Sequence, residues 1–325
     1  MDESAGDGAA VVLSVVLSFR NEEAVLPELL RRLTSTLSPL GLEYELIFVN
    51  DASGDGSLRL LAEEATRNPR VKVITMSRVF GPLECALAGF AFSKGAAVVL
   101  LDADLQDPPE LIPTLIDRWR EGADVVHTVR TARHGEPALK TFLTRVAYRF
   151  LRAVANIDLP VDAGDYKLLS RRVVDAVLKL PERSPYLRGL VAWVGFTQVT
   201  VPYERQPRFA GRTHSSMLFT LNPWRTFMTG LTSFSSTPMV VLLPFGLLVF
   251  GAAIAAAAAI WIVPGWRASM PLAGLIVLGF AALCGLQLAG LGMIGAYIGR
   301  IQDDVRGRPR YIVDTTIGVD GRPRR

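Results

Sequence analysis

Two long stretches without a charged residue constrain this chain more than any other feature. From Thr226 to Trp266 there is no Asp, Glu, Lys or Arg, and there is none again from Ala268 to Gly299. A helix crosses the hydrocarbon core of a bilayer in about 20 residues, so each stretch is long enough to span. Pro238 and Pro264 frame the first, and Pro271 opens the second. Buried core helices of this length and purity are uncommon, so the expectation is a two-helix transmembrane hairpin over residues 238–299. The apolar fraction of 50% reflects these stretches, because charged residues are mixed freely into the chain up to about Arg212.

Flanking charge sets the expected orientation. Arg205, Arg208, Arg212 and Arg225 precede the first stretch, Arg300, Arg306, Arg308 and Arg310 follow the second, and only Arg267 lies between. Both termini and the polar domain are therefore expected on the cytoplasmic side of an inner (cytoplasmic) membrane. The net charge of +4 suits anionic lipid and phosphate partners, and no nucleic-acid module is recognisable. The two cysteines, Cys85 and Cys284, have no partner at ligand spacing and read as packing residues. Residues 1–10, acidic and rich in Gly and Ala, lack the basic start of a signal peptide and are expected to be disordered.

Residues 11–213 alternate short apolar runs with amphipathic ones. Val11–Ser18, Tyr44–Val49, Val71–Met76, Ala96–Leu101 and Val125–Val129 read as strands. Glu22–Leu37, Ser57–Ala65, Leu83–Phe92 and Pro109–Arg120 read as helices. This alternation predicts an α/β domain built on a doubly wound, mostly parallel sheet. Leu139–Val154 and Leu187–Val194 are further expected helices, and Thr197–Val201 a further strand. Residues 214–237 are rich in Phe, Trp, Leu and Thr and read as interfacial helices. Residues 300–325 are expected to be a cytoplasmic tail. Gly295 and Gly299 in the second span form a small-residue pattern that allows close helix packing, either within the hairpin or between copies.

The chemistry gathers where strands end, which is where open α/β sheets bind ligands. Asp102-Ala103-Asp104 follows the fourth strand directly. Two carboxylates so close repel one another unless a cation lies between them, and hard divalent ions prefer such oxygen ligands. Asn50-Asp51 ends the second strand, with Asp51 set to accept a hydrogen bond from a base N–H, and Asn21-Glu22 ends the first. Singly each reads as a helix cap, as Asp55 does; together they outline a nucleotide crevice. Arg130, Arg133 and Lys140 form a basic set suited to a phosphate, although a solvated helix face has the same composition.

The runs Asn21-Glu22-Glu23, Val49-Asn50-Asp51-Ala52-Ser53-Gly54-Asp55-Gly56 and Asp102-Ala103-Asp104-Leu105-Gln106-Asp107-Pro108-Pro109-Glu110 resemble those of the inverting family 2 glycosyltransferases of GT-A fold. The branch most similar is the polyprenyl-phosphate glycosyltransferases, the bacterial dolichol-phosphate-mannose-synthase-like group that includes two-span glucosyl donors of O-antigen modification. Arg306–Val313 also resembles that branch. The resemblance implies that Glu22, Asp51, Asp102 and Asp162 contact the nucleotide-sugar, and that Asp104 and Gln106 hold Mg²⁺ or Mn²⁺. Asp165, Asp104 and Asp102 are the implied catalytic residues, with Asp165 either orienting or deprotonating the nucleophile. Arg130, Arg133 and Lys140 would receive the lipid phosphate, helped by Arg212 where His214 replaces a usual lysine. Arg171 and Arg172 also match a basic motif but are expected to face solvent or neighbouring elements. The chain departs from the family at Val79-Phe80-Gly81-Pro82, where Asn-x-Gly-Lys is usual, and at Ser18 and Arg20.

The implied reaction is the inverting transfer of one sugar from a nucleotide-sugar to polyprenyl phosphate for cell-envelope glycan assembly. A UDP-sugar is favoured, GDP stays open, and the resemblance suggests a homo-tetramer. A processive polysaccharide synthase is the alternative within the fold, but its Gln-x-x-Arg-Trp motif is absent from this sequence. A silent membrane scaffold with a nucleotide-binding fold is the alternative outside catalysis, and the combined presence of Asp51, Asp102, Asp104, Gln106 and Asp165 argues against it.

Overall fold

The computed structural model describes residues 12–131, 163–182, 186–207, 209, scattered positions between 244 and 262, and 272–319. The chain alternates β1 (Leu13–Phe19), α1 (Leu26–Leu37), β2 (Tyr44–Asn50), α2 (Ser57–Arg67), β3 (Val71–Met76), α3 (Pro82–Phe92), β4 (Ala97–Asp102), α4 (Ile112–Arg120) and β5 (Val125–Arg130). There follow β6 (Ala163–Ser170), α5 (Arg171–Lys179), α6 (Leu187–Trp193), β7 (Gln198–Tyr203), α7 (Leu272–Arg306) and β8 (Val313–Ile317). The strands form one eight-stranded sheet in the order β7-β5-β6-β4-β1-β2-β3-β8. Strands β4, β1, β2 and β3 are mutually parallel, and β6 and β8 run antiparallel to their neighbours. The result is the expected mixed, mostly parallel sheet of a GT-A-like fold.

The continuous apolar character of the central strands has a simple cause: both faces are covered. Successive residues of β1 point to opposite sides, so Val15 and Leu17 pack with Leu29 and Leu33 of α1 and Ile116 of α4. Val16 packs instead with Cys85 and Ala88 of α3 and Val174 of α5. The sheet and α3 approach closely because residue 89 is glycine. A Cβ there would lie 2.2 Å from Val16 Cγ1. Cys85 is buried in this layer, as expected for a packing residue.

Two strands depart from the sequence pattern. β6 occupies residues in which Asp and Gly obscure the strand signal, and it inserts antiparallel between β4 and β5. At the other edge, residues 313–317 are a strand rather than part of a free tail. They pair with β3, and the Ser77 N–H donates to the Ile312 carbonyl at 3.0 Å.

Helix α7 has 35 residues, and its Leu283–Arg306 portion is by itself apolar and long enough to cross a membrane. At ~1.5 Å per residue it extends roughly 50 Å, more than the ~30 Å of a hydrocarbon core, so it is long enough to span one with its charged last turns left over. Ile276, Phe280, Leu288, Leu291 and Ile298 are exposed along it, as a lipid-facing helix requires. The first expected span falls largely outside the described residues. Its described positions between 244 and 262 are helical, and Phe245, Leu248 and Ile262 are exposed. The expected interfacial helices over 214–237 and the helix Leu139–Val154 also lie outside the described residues.

Candidate active site

Backbone strain marks one end of the sheet. Among the described residues three non-glycine positions have positive φ: Asn21 (55°), Ala52 (52°) and Leu105 (57°). Each lies just beyond the carboxyl end of a strand, β1, β2 and β4 respectively, and these are neighbours in the sheet. Such conformations cost about 1–3 kcal/mol each and gather where a fold places functional groups.

The loops after β1 and β2 are fastened to one another. Asn21 Oδ1 accepts from the Gly54 N–H at 2.8 Å, and Ser53 Oγ accepts from the Asn21 N–H at 3.0 Å. The Glu22 N–H donates to Ser57 Oγ at 3.0 Å. Asp55 accepts from the N–H groups of Ser57 and Glu23, so it caps as expected. Glu22 is buried at the mouth of β1, and its carbonyl accepts the first N–H groups leading into α1.

Asp51 is also buried, but its carboxylate is already engaged. It accepts from the Phe80 N–H at 2.7 Å and from the Gly81 N–H at 3.1 and 3.2 Å. Those bonds fix the β3–α3 loop, where Gly81 takes φ 115° and the Arg78 guanidinium lies 4.0 Å from the Phe80 ring centroid. The departure from the family at Val79–Pro82 therefore falls on a loop held by its backbone. A carboxylate has about four lone-pair sites, so Asp51 retains capacity for a base N–H.

Strand pairing accounts for the carboxylate pair. In the β4–β6 ladder Val98 pairs with Leu169 and Leu100 with Lys167. Two residues further along, the same antiparallel register sets Asp102 opposite Asp165. Desolvation, followed by the charges of Asp165, Asp104 and Asp107, pushes the Asp102 carboxyl up to about 7. Asp104 Oδ1 accepts from the Gln106 N–H at 3.1 Å, and the Gln106 carbonyl accepts from the Gln206 N–H. The loop carrying both expected metal ligands is thus pinned to the segment after β7.

Among the described residues no group of three or more His, Cys, Asp or Glu side chains is arranged to hold a metal ion. A magnesium ion shared with a substrate phosphate needs only one or two carboxylates from the protein. Beyond desolvation, the charges of Asp165, Asp104 and Asp107 crowd Asp102, and a divalent cation would relieve such crowding, so oxygen donors of this kind suit such an ion.

Cations surround these carboxylates, and most were not foreseen. Arg188, at the start of α6, forks Asp165 with bonds of 2.8 and 2.7 Å. Desolvation alone would raise the Asp165 carboxyl, but Arg188, with Lys167 and Arg130, holds it well below the usual range. Nearly half of the Asp165 side chain is still solvent-accessible, so the pair lies in an open crevice. On the neighbouring side Tyr203 donates to the buried Asp107, Arg130 Nε donates to the Tyr203 hydroxyl at 3.3 Å, and Arg205 Nε lies 3.6 Å from Asp107. Tyr166 donates to the Pro108 carbonyl and meets Tyr203 edge-on. Arg130 thus stands beside the carboxylates, while Asp162, Arg133, Lys140 and Arg212 lie outside the described residues. Arg171 and Arg172 belong to the opposite end of the sheet, where they bind the Gly95 carbonyl and Asp124.

Residues 14–178 match the model of glycosyl transferase family 2, so the domain that positions this crevice is a glycosyltransferase domain. The chain belongs to that family. It is 39% identical over 317 residues to the uncharacterized glycosyltransferase YkcC of Bacillus subtilis (strain 168), covering 95% of each chain. It is 37% identical to the uncharacterized glycosyltransferase sll0501 of Synechocystis sp., covering 96% of this chain and 98% of that one. It is 33% identical to the SfII prophage-derived bactoprenol glucosyl transferase of Shigella flexneri, covering 93% and 97%.

Proposed function

We propose that this protein transfers one sugar from a nucleotide-sugar, most simply a UDP-hexose, to polyprenyl phosphate, with inversion at the anomeric carbon. The observation that carries this reading is the likeness to a bactoprenol glucosyl transferase over 93% of the chain, a share that extends well beyond the catalytic domain and into α7. The carboxylate crevice supplies the chemistry. Asp51 and Glu22 hold the base and ribose, Asp102 and Asp162 lie along the diphosphate and sugar, and Asp104 and Gln106 hold Mg²⁺ or Mn²⁺. The ion, when bound, stabilises the charge of the leaving diphosphate.

Asp165 serves as an orienting group in this scheme. A carboxylate kept ionised by a forked guanidinium is a weak base, and the attacking phosphate oxygen is already an anion at neutral pH. Attack therefore depends on alignment. Arg130 receives the acceptor phosphate together with Arg133, Lys140 and Arg212, offsetting its repulsion from the diphosphate. Residues 11–213 form the cytoplasmic catalytic domain, 214–237 lie along the membrane, 238–299 form a two-helix hairpin in the inner membrane, and copies assemble as a homo-oligomer.

The test is transfer by purified protein in detergent, given polyprenyl phosphate, Mg²⁺ or Mn²⁺ and a panel of UDP- and GDP-sugars, with lipid products weighed by mass spectrometry. One lipid-phosphate-sugar, formed only with metal, is expected. Nucleotide binding without lipid product from any donor would favour the scaffold alternative.

A further inference from the structure

Lys167 is a buried cation without a hydrogen bond. It is fully enclosed in β6, and its Nζ has no hydrogen-bond partner. The sheet register sets it between Leu100 of β4 and His127 of β5. His127 is buried as well. Gln198 Nε2 donates to the Val191 and Ala192 carbonyls, which turns Gln198 Oε1 toward His127 Nε2 at 2.8 Å. The imidazole proton is therefore assigned to Nε2, and Nδ1 is a bare lone pair that also makes no hydrogen bond. Burial, with the charge of Lys167, pushes His127 down to about 4, so the ring is neutral.

The Lys167 Nζ and the His127 Nδ1, two buried polar atoms from directly paired positions and neither of them hydrogen-bonded, oppose stability. Leu169, next along the same face of β6, is an ordinary core residue. Rules of packing broken at one place in an otherwise consistent fold point to function. Lys167 shares its face of β6 with Asp165, two residues nearer the crevice. Arg188 grips Asp165 with its fork, and Asp102 stands across the strand pair.

We propose that Lys167 is a positioning residue for sugar transfer: its buried ammonium, backed by the neutral His127, fixes the Asp165–Arg188 pair opposite Asp102 so that Asp165 presents only acceptors to a hydroxyl of the donor sugar. The proposal rests on the transferase reading above. Because the group serves the site at a cost to the fold, removing its charge stabilises the protein while impairing the reaction.

The experiment compares full-length wild type and Lys167→Met in detergent. Melting temperature, calorimetric binding of nucleotide-sugar and of the bare nucleoside diphosphate, and turnover at saturating donor are measured. Lys167→Met is expected to melt at a higher temperature and to bind the nucleoside diphosphate as wild type does. It is expected to bind the nucleotide-sugar at least about fivefold more weakly and to turn over at least about tenfold more slowly. A variant that melts lower or fails to fold makes Lys167 a structural residue and overturns the proposal. Unchanged nucleotide-sugar binding and turnover overturn it equally. Absence of transfer by the wild type, with the binding and melting differences present, would defeat the transferase reading alone.

Discussion

Asp104 is partly exposed and lies outside the apolar core, so its chemistry can be removed without unpacking the fold. Asp104→Ala is expected to lower metal-dependent turnover by about 10²–10³-fold with an unchanged melting temperature. Equal activity in the purified variant would remove the metal assignment. His127 gives a separate prediction. Its folded value of about 4 lies below the ordinary 6.5, so the unfolded chain binds more protons between those values. Stability is then complete above about pH 6.5 and lost as pH falls toward about 4, by something on the order of 3 kcal/mol. Melting across that range should show the slope in wild type and a flatter profile in His127→Leu. At this scale the sequence reveals groups whose meaning is local. Asp102-Ala103-Asp104 is legible because it abuts a strand. Arg188 is not, because its carboxylate partner lies 23 residues earlier in the chain and only the sheet brings them together.

Elements converted those local signals into a site. β6 escapes the pattern because Gly164 and Asp165 are poor strand formers, yet its antiparallel insertion is what carries Asp165 to Asp102. The opposite end of the sheet is secured by a polar knot that is equally invisible in the sequence. Glu45 of β2 accepts from Ser14 Oγ of β1 and from the Lys94 N–H at 2.6 Å, and it pairs with Lys72 of β3. The Gly95 N–H donates to the same Ser14 oxygen. Glu45→Ala leaves Lys72 and two donors stranded, and is expected to cost about 3–5 kcal/mol. A sharply lowered melting temperature, with donor affinity retained below the transition, would be the sign of it. A shift of a degree or less would mean that water replaces the carboxylate.

At the scale of the whole molecule the chain leaves its catalytic domain after β7, runs through α7 and returns to supply β8, the last strand of the sheet. The long apolar helix α7 was legible from composition. The return was not, because an edge strand of five residues with three exposed polar side chains carries almost no hydrophobic signal. Its location has a consequence for donor binding. β8 covers β3, Tyr311 and Val313 pack against the α3 side of the core, and the Arg310 guanidinium donates to the Leu180 carbonyl. The Ser77 to Ile312 hydrogen bond holds the first residue of the loop whose far end Asp51 grips through the Phe80 and Gly81 N–H groups. Both ends of that loop are thus fixed, one of them by a segment reached only after α7. Truncation after Gly307 should leave α7 in the membrane while exposing β3 and releasing the loop at Ser77. Nucleotide affinity is expected to fall at least about tenfold, a loss of about 1.4 kcal/mol, with a lower melting temperature of the glycosyltransferase domain. If binding by the membrane-inserted truncation matches the full chain, β8 merely shields an edge, and Asp51 alone is enough to hold the loop.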